Sequence, residues 1–304
     1  MRRTLTRHPH PPVRQWAAAA LSVAALALVA AGCGGDGTEA PAATGSSSAP
    51  DVVPHPDRLV LHLDQNRILR LGRTITVQVL DDAEGPVTVA RAEVSSDRFD
   101  PVTWTGEETF EQQLQLELAL PPTRCGSGSD ADVTLTYRIG GGPWVRSTST
   151  ATDLYGSVGQ LMVRDCAEHT FDEAARLELG RHEVVGTGRG SRFLLPVGIR
   201  ATGERPDVAF AGFESTVLFT VAGTPGLFPD VEPLRLEAGA TYEEVLEITP
   251  SRCDAHALAE DKVGTLFPVH LLAPGLPEDA SFHLPIPDEV RGDLRAFFAP
   301  HCGI

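Results

Sequence analysis

The feature that most constrains the fold of this chain is a cysteine context that occurs twice. Pro122-Thr123-Arg124-Cys125 is matched by Pro250-Ser251-Arg252-Cys253. Leu118 and Leu120 stand seven and five residues before the first cysteine, as Leu246 and Ile248 do before the second. A later pair repeats as well. Leu154, Val158, Leu161 and Met162 lie twelve, eight, five and four residues before Cys166, and Val290, Leu294, Phe297 and Phe298 hold the same offsets before Cys302. Gly156 and Gly292 each lie ten residues ahead of their cysteine. Chance supplies any one of these matches but not the set, so the chain reads as two copies of one domain. Four cysteines allow three connectivities, and the duplication selects Cys125–Cys166 and Cys253–Cys302. Each bridge would close a loop of roughly 40–50 residues, for which the chain-entropy model gives about 4 kcal/mol. The spacing is far from the paired C-x-x-C of zinc sites.

Alternation sets the fold class. Leu114, Leu116, Leu118 and Leu120 alternate with Gln113, Gln115, Glu117 and Ala119, the pattern of a strand with one buried face. Residues 74–80, 87–94 and 133–139 read alike in the first copy, and 193–200, 208–221, 242–249 and 264–272 are candidate strands in the second. Residues 82–86 and 140–143 carry the Gly and Pro of turns. Roughly seven short strands per copy predict two tandem immunoglobulin-like β-sandwich domains in a mainly β chain. Val290, Leu294, Phe297 and Phe298 instead follow helical spacing, with Asp288 and Glu289 placed to favour the dipole. A short helix pinned by Cys302 is expected there, while Gly156 and Gly159 weaken the same pattern in the first copy.

The N-terminus carries an address. Arg2, Arg3, Arg7 and Arg14 precede a run from Trp16 to Ala31 that is apolar or small apart from Ser22, ending Leu28-Val29-Ala30-Ala31-Gly32-Cys33. This is the order of a signal peptide, and it is short for a membrane span. The stretch before Cys33 resembles the lipobox of bacterial lipoproteins. The resemblance implies cleavage before Cys33, a diacylglycerol thioether on its thiol, palmitate-type acylation and an extracytoplasmic location. Arg2-Arg3-Thr4-Leu5 also partly resembles a twin-arginine export signal, with an ordinary basic leader as the alternative. Beyond the leader the chain resembles actinobacterial tandem-domain lipoproteins, which implies a place and no activity. Residues 34–56 are rich in Gly, Ser, Ala, Pro and Thr and are expected to form a flexible tether, about 25–30 Å in reach. The expected plan is therefore a signal peptide over 1–32, lipidated Cys33 and tether over 33–56, and domains over 57–168 and 169–304. Cys33 would be the sole membrane anchor.

Charge narrows the partners. Loss of the four leader arginines makes the formal charge of −16 more negative by four, to −20. Such a surface disfavours nucleic acid. It leaves an envelope protein or glycan as the expected partner and sets no oligomeric state. No cofactor motif is present. Residues 186–191 are glycine-rich, but a strand pattern follows where a phosphate loop needs a helix, so they read as a hairpin turn. His182-Glu183 lacks the second His of a metalloprotease motif, its place being taken by Gly186. No catalytic residues are assigned, and the chain is read as a non-catalytic binding or scaffold module.

Candidate binding residues remain. Trp104 and Trp144, the two tryptophans outside the leader, would stack on sugars or a partner if exposed. His256, Glu260 and Asp261 follow Cys253 in a polar cluster, where His256 and Glu260 would share a helical face and a cation. That cluster is the seat of two alternatives, an envelope hydrolase with an irregular site and a metal-binding accessory protein. A charged loop beside the bridge is the plainer reading. Asp81, Asp82 and Glu84 crowd one turn but lack the spacing of a calcium loop.

Overall fold

The computed structural model describes residues 59–81, 85–222, 233–259 and 261–304. The leader, Cys33, the tether, Asp82, Glu84 and Glu260 lie outside the described residues. Among those described, no helix is long and apolar enough to cross a membrane.

The first repeat contains β1 (Leu59–Asp64), β2 (Thr74–Asp81), β3 (Val87–Ser96), β4 (Phe99–Phe110), β5 (Gln113–Ala119), β6 (Ala131–Ile139) and β7 (Val145–Ala151), followed by α1 (Ser157–Ala174). Its strands form two antiparallel sheets, ordered β1-β2-β5 and β4-β3-β6-β7. The alternation read from the sequence is the alternation of burial. Leu61, Leu63, Ile75, Val77 and Leu116 of one sheet enter a single core with Val87, Val94, Leu135 and Tyr137 of the other. Two sheets sharing a core in this way make a sandwich.

The second repeat contains β8 (Ala175–Leu179), β9 (Glu183–Val185), β10 (Arg192–Ala201), β11 (Ala209–Phe213), β12 (Phe219–Val221), β13 (Leu234–Arg235), β14 (Thr241–Pro250), α2 (Ala255–Ala259), β15 (Pro268–Leu272), β16 (Ser281–His283) and α3 (Asp288–Cys302). The sheet orders are β12-β14-β10-β8, with β9 on β10, and β13-β11-β15-β16. With β9 and β12 set aside, β8-β10-β14 repeats β1-β2-β5, and β13-β11-β15-β16 repeats β4-β3-β6-β7. Register agrees at the matched positions: Leu118 faces Ile75, while Leu246 faces Leu195. The fold is thus mainly β, a tandem of immunoglobulin-like β-sandwiches, and β9, β12 and α2 are additions to the second copy.

Both expected cystines form. Cys125–Cys166 and Cys253–Cys302 have Cα separations of 5.5 and 5.2 Å. Each ties the segment after β5 or its counterpart β14 to the helix that closes its repeat. The expected helix at 290–298 is α3, with Leu294, Phe297 and Phe298 buried.

The weaker helical pattern in the first copy hides the largest departure. α1 is a full helix of 18 residues. Gly156 does not weaken it, because it precedes the helix in the left-handed region at φ 66°. Gly159 sits where a Cβ would lie 3.3 Å from Ser129 Oγ and 3.4 Å from Asp153 Oδ2. The small residue lets Asp153 reach in and accept hydrogen bonds from the backbone N–H groups of Val158 and Gly159 at 3.3 and 2.7 Å, satisfying free donors of the first turn. Leu154 precedes the helix and is exposed, so that one repeat match is not a buried position.

α1 also serves both cores. Val158, Leu161 and Met162 pack in the first, whereas Ala167, Phe171 and Ala174 pack in the second. The expected division at residues 168 and 169 falls inside this helix. Single expected strands were also resolved into parts. Residues 208–221 hold β11 and β12, separated by a loop in which Thr216 Oγ1 accepts from the N–H of Phe219 at 3.0 Å and donates to Gly264 O at 2.6 Å.

Candidate functional site

The residues singled out in the sequence do not form one site. Trp104, on the edge strand β4, pairs with Ala92 of β3, which is fully buried. Its indole is half-buried, packs on the first core and lies across Gly106, where a Cβ would stand 2.6 Å from the ring. Trp144, in the turn before β7, is 45% exposed, with the Arg138 guanidinium 4.7 Å from its ring centroid. Arg138 also pairs with Glu107 at 3.0 Å. This tryptophan is the more accessible of the two, and its face toward Arg138 is taken by a cation–π contact.

His256 is exposed on α2. Asp254 caps that short helix, accepting from the N–H of Ala257 at 2.7 Å. Asp261 is a turn residue. Its Oδ1 accepts from the N–H groups of Val263 and Gly264 at 3.2 and 2.5 Å, and Arg295 stands 3.9 Å from Oδ2. Removing that carboxylate leaves two backbone donors unmet, so Asp261→Ala is expected to cost about 1–3 kcal/mol in denaturant unfolding. An effect below the scatter of the measurement would mean that water replaces the cap. Asp81 is buried at the end of β2. Among the described residues no group of three or more His, Cys, Asp or Glu side chains is placed to hold a metal ion.

Residues 186–191 connect β9 to β10 as an antiparallel hairpin, in keeping with the turn reading. A serine and a histidine do meet at its end. Ser191 Oγ lies 3.3 Å from His301 Nδ1, but it also donates to Gly188 O at 2.6 Å, and Nδ1 lies 3.0 Å from Ser191 O. Both residues are buried. The pair fastens α3 to the hairpin and offers no exposed nucleophile.

A different site emerges where the repeats join. A cleft of about 470 Å³ has α1 as its floor, through Gly159, Gln160, Val163 and Arg164. Gln65 and Arg70 of the first repeat form one wall, and Pro277, Asp279, Ser281 and His283 of the second form the other. Gln65 organises the first wall. It is 3% exposed, and its Nε2 reaches Leu69 O, Gly72 O and Thr74 O at 3.4, 3.2 and 3.2 Å. Its backbone N–H donates to Ser157 Oγ at 2.8 Å, and Ser157 in turn donates to Asp64 Oδ1 at 2.8 Å. With the amide so fixed, its Oε1 accepts from Arg164 Nη2 at 3.2 Å and aims that side chain.

The electrostatics of the cleft run against those of the chain. Burial lowers the Arg164 guanidinium below the usual arginine value, Asp165 counters this, and Arg70 adds to it. It remains a cation at neutral pH. His283 is pushed down to about 3, first by burial and then by Arg164, Arg291 and Arg70. Its imidazole is therefore neutral at physiological pH and presents one donor and one acceptor. Arg73 is not part of this field in the same way, because Asp165 pairs with it at 2.6 Å. The exposed Asp279 is the carboxylate lining the cleft.

None of the cleft residues was singled out as a site residue in the sequence, where Gly159 was read only for its effect on the helix. Arg164 is legible as a polar position on a helical stripe, but its meeting with Gln65 and His283 joins residues far apart in the chain. Only the helix shared by both repeats brings them together.

No protein-family model matches this chain, and no curated protein matches it. Two solved structures align over long stretches with little geometric agreement. Red sea bream transglutaminase covers 75% of the chain at 9% identity and a TM-score of 0.22. The exo-chitosanase of Amycolatopsis orientalis covers 74% at 13% identity and a TM-score of 0.20. The chain spans 31% of the first protein and 26% of the second.

Proposed function

We propose that this chain is a lipoprotein held at the extracytoplasmic face of the membrane through Cys33, where it acts as a non-catalytic binding or scaffold module for an envelope protein or glycan. The observation that carries this reading is the pair of structural cystines. Such bridges form and persist in oxidising compartments. The leader supplies a route to one, and the lipobox-like stretch ending at Cys33 supplies the anchor. The two sandwiches, joined by one helix, suit display of loops and clefts to the envelope.

Intact mass of the protein from its native membrane tests this. The wild-type product is expected to begin at Cys33 and to carry acyl chains. Cys33→Ala is expected to be released or left unprocessed. A wild-type product without lipid would overturn the anchor, leaving a secreted protein. The same measurement with and without reductant should differ by about four daltons, one hydrogen for each of the four paired thiols.

A further inference from the structure

We propose that the cleft between the two repeats binds a small organic anion, whose carboxylate or phosphate group is held by Arg164 and Arg70. The proposal does not depend on the membrane anchor. It starts from an imbalance of charge. The chain has 41 acidic residues against 25 basic ones, so most arginines have carboxylates within reach. Among the described residues, Arg73, Arg91, Arg124, Arg138, Arg200 and Arg205 each have one within 4 Å. Arg164 and Arg70 have none there. Both line the cleft, and the charge of Arg70 lowers the affinity of Arg164 for its proton.

A half-buried guanidinium with no carboxylate in contact is costly, since burial weakens its hydration and the charges of Asp165 and Glu168 replace it only in part. Arg164 has five N–H donors, and its one protein hydrogen bond among the described residues goes to the neutral Gln65. That bond fixes the side chain without neutralising it. A planar oxyanion matches the guanidinium fork and would relieve the repulsion between the two arginines at once.

The other walls define the rest of the ligand. Neutral His283 and Ser281 supply hydrogen bonds without adding charge, and Val163 and Pro277 supply apolar surface. The volume of about 470 Å³ falls in the range of small-molecule sites and exceeds what a lone inorganic ion fills. Asp279 on the far wall would repel a second anionic group there, which favours a ligand with its charge at one end.

The test is calorimetric titration of the processed protein, as purified from the cells that make it, with inorganic phosphate and with butyrate, whose charge lies at one end, at low ionic strength. Saturable binding of either probe is expected. Preference for phosphate would assign a phosphorylated ligand, and preference for butyrate a carboxylate. Arg164→Gln and Arg70→Gln should each weaken binding about tenfold or more, the loss expected for a charge-assisted hydrogen bond. Arg189→Gln, at an exposed position of the hairpin between β9 and β10, should leave binding unchanged. If Arg164→Gln does not fold, Arg70→Gln decides, because Arg70 makes no side-chain hydrogen bond within the described protein. Failure of both probes to bind, or binding that ignores the cleft substitutions, overturns the proposal.

Discussion

Replacing Cys253 and Cys302 together with serine is expected to lower the stability of the second repeat by about 4 kcal/mol. The bridge spans 49 residues of sequence. In the chain-entropy model the lost cross-link frees that loop in the unfolded state. Small domains have a total stability of only about 5–15 kcal/mol, so the change should be plain in a denaturant titration. The matching pair, Cys125 and Cys166, spans 41 residues, and the entropy term is nearly the same. Yet the first bridge has non-covalent support. Arg73 Nε donates to Leu120 O at 3.2 Å and pairs with Asp165, and Thr123 donates to Asp165 Oδ2 at 3.0 Å. The Thr123–Asp165 bond joins the same two segments as the cystine does, and Arg73, just before β2, bridges them. Removal of Cys253–Cys302 should therefore cost more than removal of Cys125–Cys166. Equal losses would show that the Arg73–Asp165 pair adds nothing once the cystine is gone. A loss below about 1 kcal/mol for Cys253–Cys302 would show that its unfolded loop is already restrained.

The disulfide pairing was legible because duplication carries three-dimensional information: residues that match in two copies occupy matching places. The strands were legible for a local reason, since alternation such as Leu114 to Leu120 has the period of the pleat. The limits of the sequence lay where neighbours along the chain do not decide the outcome. The strand β4 carries Trp104, Gly106 and four polar residues from Thr105 to Thr109, and only pairing with β3 makes it extended. α1 was obscured by Gly156 and Gly159, whose meaning depends on Asp153 and Ser129 rather than on helix propensity. The cleft was hidden for the strongest reason. Residues 65, 70, 164 and 283 meet through the junction of two repeats, and each repeat taken alone shows an unremarkable arginine, glutamine or histidine. The polar run after Cys253 pointed elsewhere because dense charge resembles a site, while in the fold Asp254 and Asp261 are spent on capping turns.

Phe171→Ala is expected to cost about 3–5 kcal/mol, the usual range for emptying a fully buried phenylalanine site. Phe171 is 0% exposed, and its ring centroid lies 5.1 Å from that of Phe282 on β16. The size of the loss is ordinary, but its distribution is informative. Phe171 sits about two and a half turns beyond Met162, on the helix whose Val158, Leu161 and Met162 fill the first core. If α1 couples the repeats, loosening it in the second core withdraws support from the first. Amide hydrogen exchange should then speed up in β2 as well as in β10, and denaturant unfolding should remain one transition. Leu135→Ala provides the reference, because Leu135 is buried in the first core on β6, away from the helix. Faster exchange confined to β10 after Phe171→Ala would mean that α1 yields in its middle and the sandwiches unfold separately. In that case the cleft between them would vary in width, and Gln65 would lose its hold on Arg164 without either core being lost. A shared transition would instead make the cleft as durable as the cores, with its arginines fixed before any ligand arrives, which lowers the ordering cost of binding.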